Sequence, residues 1–178
     1  MSDLDIGPVR DEPDLDALTN DLGHGPLFRD RFQRQKSGKG QLLFARRDDS
    51  VVGVVYLWLE PAEEKEIRDA LPRVPLLMHL EIREDERGQG YGTALIEAAE
   101  EWLKEEWGCT KVALAVEVGN ENAKKLYERL GYKEWAPSYV WEHPYVMCRR
   151  FVEAGQPNPE PEYEQCNILI RSLVEDDA

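Results

Sequence analysis

A single α/β (or α+β) domain, with a mixed, largely antiparallel sheet flanked by helices, is what the sequence predicts from three observations. Short β-rich runs alternate with amphipathic helical repeats along the chain. Two early β-rich runs within Gln41 to Glu60 are separated only by Asp48-Asp49-Ser50, which reads as a hairpin. A strand-like run, Leu76 to Ile82, feeds a glycine-rich loop and then a long helical repeat. The 178 residues fit one domain spanning 1–178, with a core over 5–174, an irregular aromatic and proline-rich insertion at 136–164 and an acidic tail at 175–178.

Asp5 to Val9 reads as a short first strand. In "DEPDLDALTNDLGHG", Asp11 or Glu12 before Pro13 starts a helix and Gly23 closes it. Leu27, Phe28 and Phe32 stand at helical spacing, and Ser37-Gly38-Lys39-Gly40 ends that second helix before the hairpin. The charged stretch between Pro61 and Pro75 reads as a partly helical excursion. From Gly92 to Glu106, Ala94, Leu95, Ala98, Ala99, Trp102 and Leu103 form an apolar helical stripe with acidic residues opposite. Lys111 to Val116 is the next strand, "GNENAKKLYERLGY" a helix stopped by Gly131, and Gln165 to Leu173 a final strand.

The formal net charge of −14, with no basic stripe, argues against a nucleic-acid partner. It favours cationic small molecules, although acidity also confers solubility. No apolar run approaches the roughly 20 residues that span a bilayer, and the N-terminus lacks signal-peptide regions, so a cytoplasmic protein without membrane partners is expected. Cys109, Cys148 and Cys166 are too far apart for a disulfide framework or a CxxC pattern, and read as buried thiols. His24, His79 and His143 are scattered and fit no metal-binding helix motif, so no metal is expected.

Arg87-Gly88-Gln89-Gly90-Tyr91-Gly92 puts glycine at every second position just before a helix. The first amides of a helix lack intrahelical acceptors, and the peptide dipoles place roughly half a positive charge there. Bare glycine backbone lets an anion reach those amides, Arg87 adds a charged clamp, and a diphosphate fits the whole. Neither the phosphate loop GxxxxGK nor the dinucleotide fingerprint GxGxxG matches, because the run is GxGxG followed by Thr93.

Arg87-x-x-Gly90-x-Gly92 after a strand, followed by Asn120-x-x-Ala123-x-x-Leu126-Tyr127-x-x-x-Gly131-Tyr132, resembles the GNAT superfamily of acetyl-CoA-dependent N-acetyltransferases. The resemblance is strongest from Leu76 to Tyr132 and extends to the helix, helix, hairpin order before it. It implies a sheet splayed in the middle, with acetyl-CoA as co-substrate. It further implies that the diphosphate lies on the amides of Arg87, Gly88, Gln89, Gly90, Tyr91, Gly92 and Thr93. The pantetheine arm then pairs with Leu80, Glu81 and Ile82, as a strand added to a sheet edge. Asn120 would contact the cofactor arm or cap its helix. Tyr127 would protonate the departing thiolate as general acid.

The reaction implied is direct attack of a neutral amine on the thioester, with strand amides at Leu80 to Ile82 holding the oxyanion. An alkylamine of pKa near 10 must first lose a proton. Glu81 and His79, alternating onto one side of the strand, are the candidate bases, with Glu81 favoured. The competing reading pairs Glu81 with Arg83 in a salt bridge. Glu84, Asp85 and Glu86 read as solvated loop charge and first-turn stabilisation rather than as catalytic groups.

The acceptor expected is a small cationic amine: a polyamine, an amino sugar or antibiotic, or an amino acid. A protein N-terminus or lysine is the enzymatic alternative, and a non-catalytic acyl-CoA-binding or interaction module the alternative of another class. The insertion, with its aromatics, reads as an acceptor wall or equally as a homodimer contact.

Overall fold

The computed structural model describes residues 4–63, 65–135, 140–142 and 164–174. Their contacts fall into two compact units.

The first unit comprises residues 1–61, 74–112 and 172–178. Strands β1 (Leu4–Pro8), β2 (Gly40–Arg47), β3 (Ser50–Trp58) and β4 (Leu76–Ile82) follow one another as antiparallel neighbours. The hairpin β2–β3 turns at Asp48, whose φ of 56° is the left-handed conformation that Asp tolerates in tight turns. Helix α1 (Glu12–Leu22) is capped as its sequence demands: the Asp11 carboxylate accepts from the Asp14 amide at 3.0 Å, and Gly23 ends it with a φ of 78°. Helix α2 (Gly25–Lys36) follows after only Gly23 and His24.

Every residue of β3 from Val51 to Trp58 is buried. Alternate residues of a strand point to opposite faces, so both faces of β3 are covered, and helices α1 and α4 (Tyr91–Trp107) lie against it. Leu15 and Leu18 of α1, Phe28 and Phe32 of α2, and Leu95, Ile96 and Leu103 of α4 are all buried. Each such side chain stabilises the fold by roughly 1.5–3 kcal/mol relative to exposure.

The second unit comprises residues 62–73 and 113–171. It holds α3 (Lys65–Ala70), most of β5 (Lys111–Glu117), α5 (Glu121–Arg129), β6 (Lys133–Glu134), β7 (Val140–Glu142) and β8 (Glu164–Ser172). Strand β8 neighbours β5, and pairs antiparallel with β6 through Ile170 and Leu169 and with β7 through Cys166 to Glu164. The Asn120 carboxamide caps α5 by accepting from the Ala123 amide at 3.2 Å, and Gly131 stops the helix with a φ of 89°.

The predicted class, a mixed α/β fold with mostly antiparallel strands and flanking helices, is what forms. The 136–164 segment is not irregular throughout, because β7 lies inside it and is held by main-chain pairing that no side-chain pattern announces. Its residues 136–139 and 143–163, Cys148 among them, and the acidic tail 175–178 fall outside the described residues. Of the other two thiols, Cys166 is buried, but Cys109 is only half-buried.

Gly53 on β3 sits opposite Ile82 and has no room for a side chain. A Cβ there would come within 2.6 Å of Ile82 Cδ1, 2.9 Å of Leu95 Cδ1 and 3.0 Å of the Glu81 carbonyl. Gly53→Ala should therefore lower stability by about 1–3 kcal/mol through overpacking, read as a drop in the urea midpoint. An unchanged midpoint would show that β4 yields without cost.

Candidate active site

Strand β4 leads through a one-turn 3-10 helix, Glu84–Glu86, into the glycine loop and α4, all within the first unit. Gly88 and Gly90 have φ of 77° and 83°, left-handed values that cost a residue with a side chain roughly 1–2 kcal/mol. A Cβ at either position would meet nothing within 4 Å, so the space over the loop is open. Gly90 is the N-cap of the 17-residue α4, and its carbonyl accepts the Ala94 amide at 3.1 Å. Arg87, Gly88, Gln89 and Gly90 are exposed, and Tyr91, Gly92 and Thr93 half-buried. The Arg87 Nε donates to the Ile82 carbonyl at 3.2 Å, which fixes the guanidinium beside the loop.

Three carboxylates immediately before an anion-seeking helix end would oppose its field. Glu84 and Asp85 are exposed, as expected of solvated charges, but Glu86 is not. Glu86 is buried at 5% exposure and bridges two arginines, accepting from Arg47 Nη1 at 2.8 Å and from Arg83 Nη2 at 3.2 Å. Arg83 also donates to Asp85 at 2.6 Å, holding that carboxyl below its usual range. Arg47 reaches the Tyr91 hydroxyl at 3.2 Å as well, so one guanidinium from the end of β2 ties both flanks of the loop. Pairing of Asp85 and Glu86 with these arginines weakens the negative field that would oppose the helix dipole at Gly90 to Thr93.

Strand β4 is not regular. Met78 pairs with Tyr56 and Glu81 with Val54, so His79 and Leu80 together stand opposite Val55, and His79 has a φ of 49°. This is a β-bulge, which disrupts the ladder and re-aims a side chain. His79 and Glu81 do meet, with His79 Nε2 3.0 Å from Glu81 Oε2, but through the bulge rather than through simple alternation. A carboxylate only accepts, so the His79 Nε2 carries the proton of that bond. Arg83 is committed to Asp85 and Glu86, and is not the partner of Glu81.

The partner that sequence reading missed is His24. Its Nε2 lies 3.4 Å from the same Glu81 oxygen, and its ring stands edge-on to His79 with centroids 5.7 Å apart. Phe28 braces both imidazoles edge to face, at 5.9 Å from His24 and 5.5 Å from His79. The local signal was a histidine set between Gly23 and Gly25, at a helix junction with no room for a regular turn. Nothing in the sequence links it to β4. His24 side-chain exposure is 50%, against 24% for His79 and 27% for Glu81.

In the second unit, Asn120 is exposed and engaged as a helix cap. Tyr127 is buried on α5, edge-on to Tyr132 with centroids 5.5 Å apart, and burial pushes its phenol up to about 12. It stays neutral at any physiological pH. Among the described residues, no group of three or more His, Cys, Asp or Glu is arranged to hold a metal ion, and no helix is long and apolar enough to cross a membrane.

Comparison with known proteins agrees with this geometry. The acetyltransferase (GNAT) family profile matches residues 11–132. The chain belongs to this family. It is therefore one of the acetyl-CoA-dependent acyltransferases, as the glycine loop and the Asn120 to Tyr132 motif anticipated. Over 58 residues it is 38% identical to an N-alpha-acetyltransferase of Sulfurisphaera tokodaii, a stretch covering 33% of this chain and 35% of that protein. The match thus spans about a third of that relative's length. The structure of yncA from Salmonella typhimurium with its cofactor acetyl-CoA shares the fold at 16% identity and a TM-score of 0.64, over 99% of this chain and 98% of that one. So does the spermidine/spermine N-acetyltransferase SpeG from Vibrio cholerae, at 16% identity and a TM-score of 0.65, over 96% of this chain and 92% of that one.

Burial lowers the pKa of His79, with the charges of His24 and Arg31 acting in the same direction and Glu81 opposing them. A histidine whose folded pKa lies below its unfolded value of about 6.5 binds fewer protons when folded, so stability falls as pH drops below that value toward the folded pKa. The Tm of the protein should decline on acidification from about pH 7 to 5. In His79→Gln that decline should be shallower, and parallel curves for the two proteins would remove the imidazole as its source.

Proposed function

We propose that the protein transfers the acetyl group of acetyl-CoA directly to a primary amine of a small, cationic acceptor. The observation that carries this reading is Glu81: a half-exposed carboxylate on the bulged strand that runs straight into an open glycine cradle at a helix N-terminus. Acetyl-CoA supplies the activated thioester carbonyl. The amides of Arg87 to Thr93 and the Arg87 guanidinium receive its diphosphate. Main-chain groups of Leu80, Glu81 and Ile82 receive the pantetheine arm and stabilise the oxyanion, and the break in the ladder at His79 and Leu80 interrupts the pairing with β3 at the start of this stretch.

Glu81 is the proposed base that takes a proton from the incoming ammonium, oriented by the His79 Nε2–H. Tyr127 is proposed to serve the leaving sulfur. With its pKa near 12, it is a weaker acid than an ordinary thiol near 8.5 by roughly three units, so it stabilises the sulfur by donating a hydrogen bond more readily than by surrendering the proton. Asn120 contributes through its cap, which holds the start of the helix that carries Tyr127.

The acceptor class rests on the net charge of −14 and on the shared fold with a spermidine/spermine acetyltransferase. A second reading, acetylation of a protein or peptide α-amino group, is favoured by the 38% identity to an N-alpha-acetyltransferase. A cytoplasmic setting and a homodimer accompany the first reading as proposals.

Acetyl-CoA at a hundredfold excess over its dissociation constant should raise the Tm by roughly 5–10 °C, from about 2.7 kcal/mol of linkage. Gly92→Ala separates the cradle from the fold, because its Cβ would make only an ordinary 3.7 Å contact with Ile82 and its φ is not left-handed. That variant should melt no lower than the parent, since alanine favours a helix by up to about 1 kcal/mol, yet show a smaller acetyl-CoA shift. An undiminished shift would move the diphosphate elsewhere, and no shift in the parent would leave a non-catalytic interaction module.

Thiol release should then be followed over spermidine, glucosamine, free amino acids and a peptide with a free α-amino group. Turnover of the peptide alone would select the second reading. Tyr127→Phe should lower kcat on the order of 10-fold or more, and unchanged turnover would remove the phenol from the mechanism.

A further inference from the structure

Removing a proton from an ammonium at every turnover requires a route for that proton to bulk water. Glu81 is half-buried, and one of its oxygens, Oε2, touches two imidazoles of unequal exposure. The inner one, His79, is 24% exposed, while the outer one, His24, is 50% exposed. Both histidines have left-handed backbone, with φ of 57° and 49°, and Asp48 is the one other described residue besides glycine with a positive φ. Conformations of this kind persist where the surrounding structure over-determines them, and they cluster at functional sites. Here they turn two residues, one at a helix junction and one in a bulge, onto a single carboxylate oxygen. Phe28, fully buried, packs edge-on against both rings and holds them there.

We propose that His24, Glu81 and His79 form a proton relay in which His24 is the exit to solvent. This rests on the acetyl-transfer reading above. Glu81 accepts a proton from the acceptor ammonium, leaving the nitrogen lone pair free to attack the thioester. The protonated carboxyl passes that proton to the His24 Nε2, which returns Glu81 to the carboxylate; the imidazolium so formed releases its Nδ1 proton to water or buffer, and exchange of the half-exposed ring with solvent restores the Nδ1–H tautomer for the next turnover. His79 keeps its Nε2–H on Glu81 throughout and orients it. The charged and titratable groups that act on His79 are Glu81, His24 and Arg31 from α2. His24 acts through Glu81, and is a positioning residue for proton transfer rather than a group that touches the substrate.

The test is His24→Asn, because asparagine tolerates the left-handed backbone that His24 adopts. With the amine that turns over in the thiol-release assay, the variant should lose on the order of 10-fold in kcat at low buffer, with an altered pH profile. Its KM for acetyl-CoA should be unchanged, and added imidazole should restore the rate by carrying the proton from Glu81. A variant with parental kcat, pH profile and buffer independence would overturn the relay, as would one that loses its acetyl-CoA thermal shift, since its role would then be structural. Imidazole NMR titrations of the full chain supply a readout that does not depend on turnover. In Glu81→Gln the titrations of His24 and His79 should both move, and an unmoved His24 would overturn the proposal even if acetyl-CoA binding and transfer hold. Absence of any acetyl-CoA shift in the parent would instead overturn the acetyl-transfer reading while leaving that titration result standing.

Discussion

The arrangement of this protein depends on one break in a ladder. Strands β3 and β4 pair regularly at Met78 and Leu77, then lose register because His79 and Leu80 share the single partner Val55. Had β4 continued its alternation, the ladder with β3 would run unbroken from Leu76 to Ile82. The bulge leaves an unpaired residue, and a left-handed His79 directs an imidazole at Glu81. The strand can be distorted locally because its neighbour is rigid: β3 is buried from Val51 to Trp58, with α1 and α4 against it. The well-packed strand bears the cost of the irregular one.

The same economy governs charge. The chain is strongly acidic, yet it presents a helix N-terminus suited to a diphosphate directly after Glu84, Asp85 and Glu86. Two arginines resolve the conflict, Arg47 from the hairpin and Arg83 from the end of β4, by pairing with Glu86 and Asp85. A buried carboxylate left without these partners would be costly, so Glu86 also fastens the loop to the hairpin. Desolvation acts on His79 and Tyr127 in the complementary sense, keeping an imidazole and a phenol neutral where each is proposed to donate a hydrogen bond.

Most of the elements were legible because their signals are local. Asp11 before Pro13 caps a helix, Gly23 and Gly131 end helices, and Asn120 caps α5, each through a contact within a few residues. The glycine loop was legible for the same reason, since Gly88, Gly90 and the helix they precede are contiguous. Strand β7 was not, because three residues are too few to show a period, and the strand is defined by its pairing with Glu164 to Cys166.

By itself, then, the sequence determined the order of elements, the anion-seeking helix end and the family to which the chain belongs. Only the tertiary structure decided the company that the carboxylates keep. Whether Glu86 is solvated or bridged, and whether Glu81 answers to Arg83 or to two histidines, depends on residues far apart in the chain meeting in space. Arg47 comes from the hairpin and His24 from the junction of α1 and α2. Capping and helix-end electrostatics act over one turn of chain and can be read from it. Ion pairing acts across whatever the packed fold places within a few ångströms.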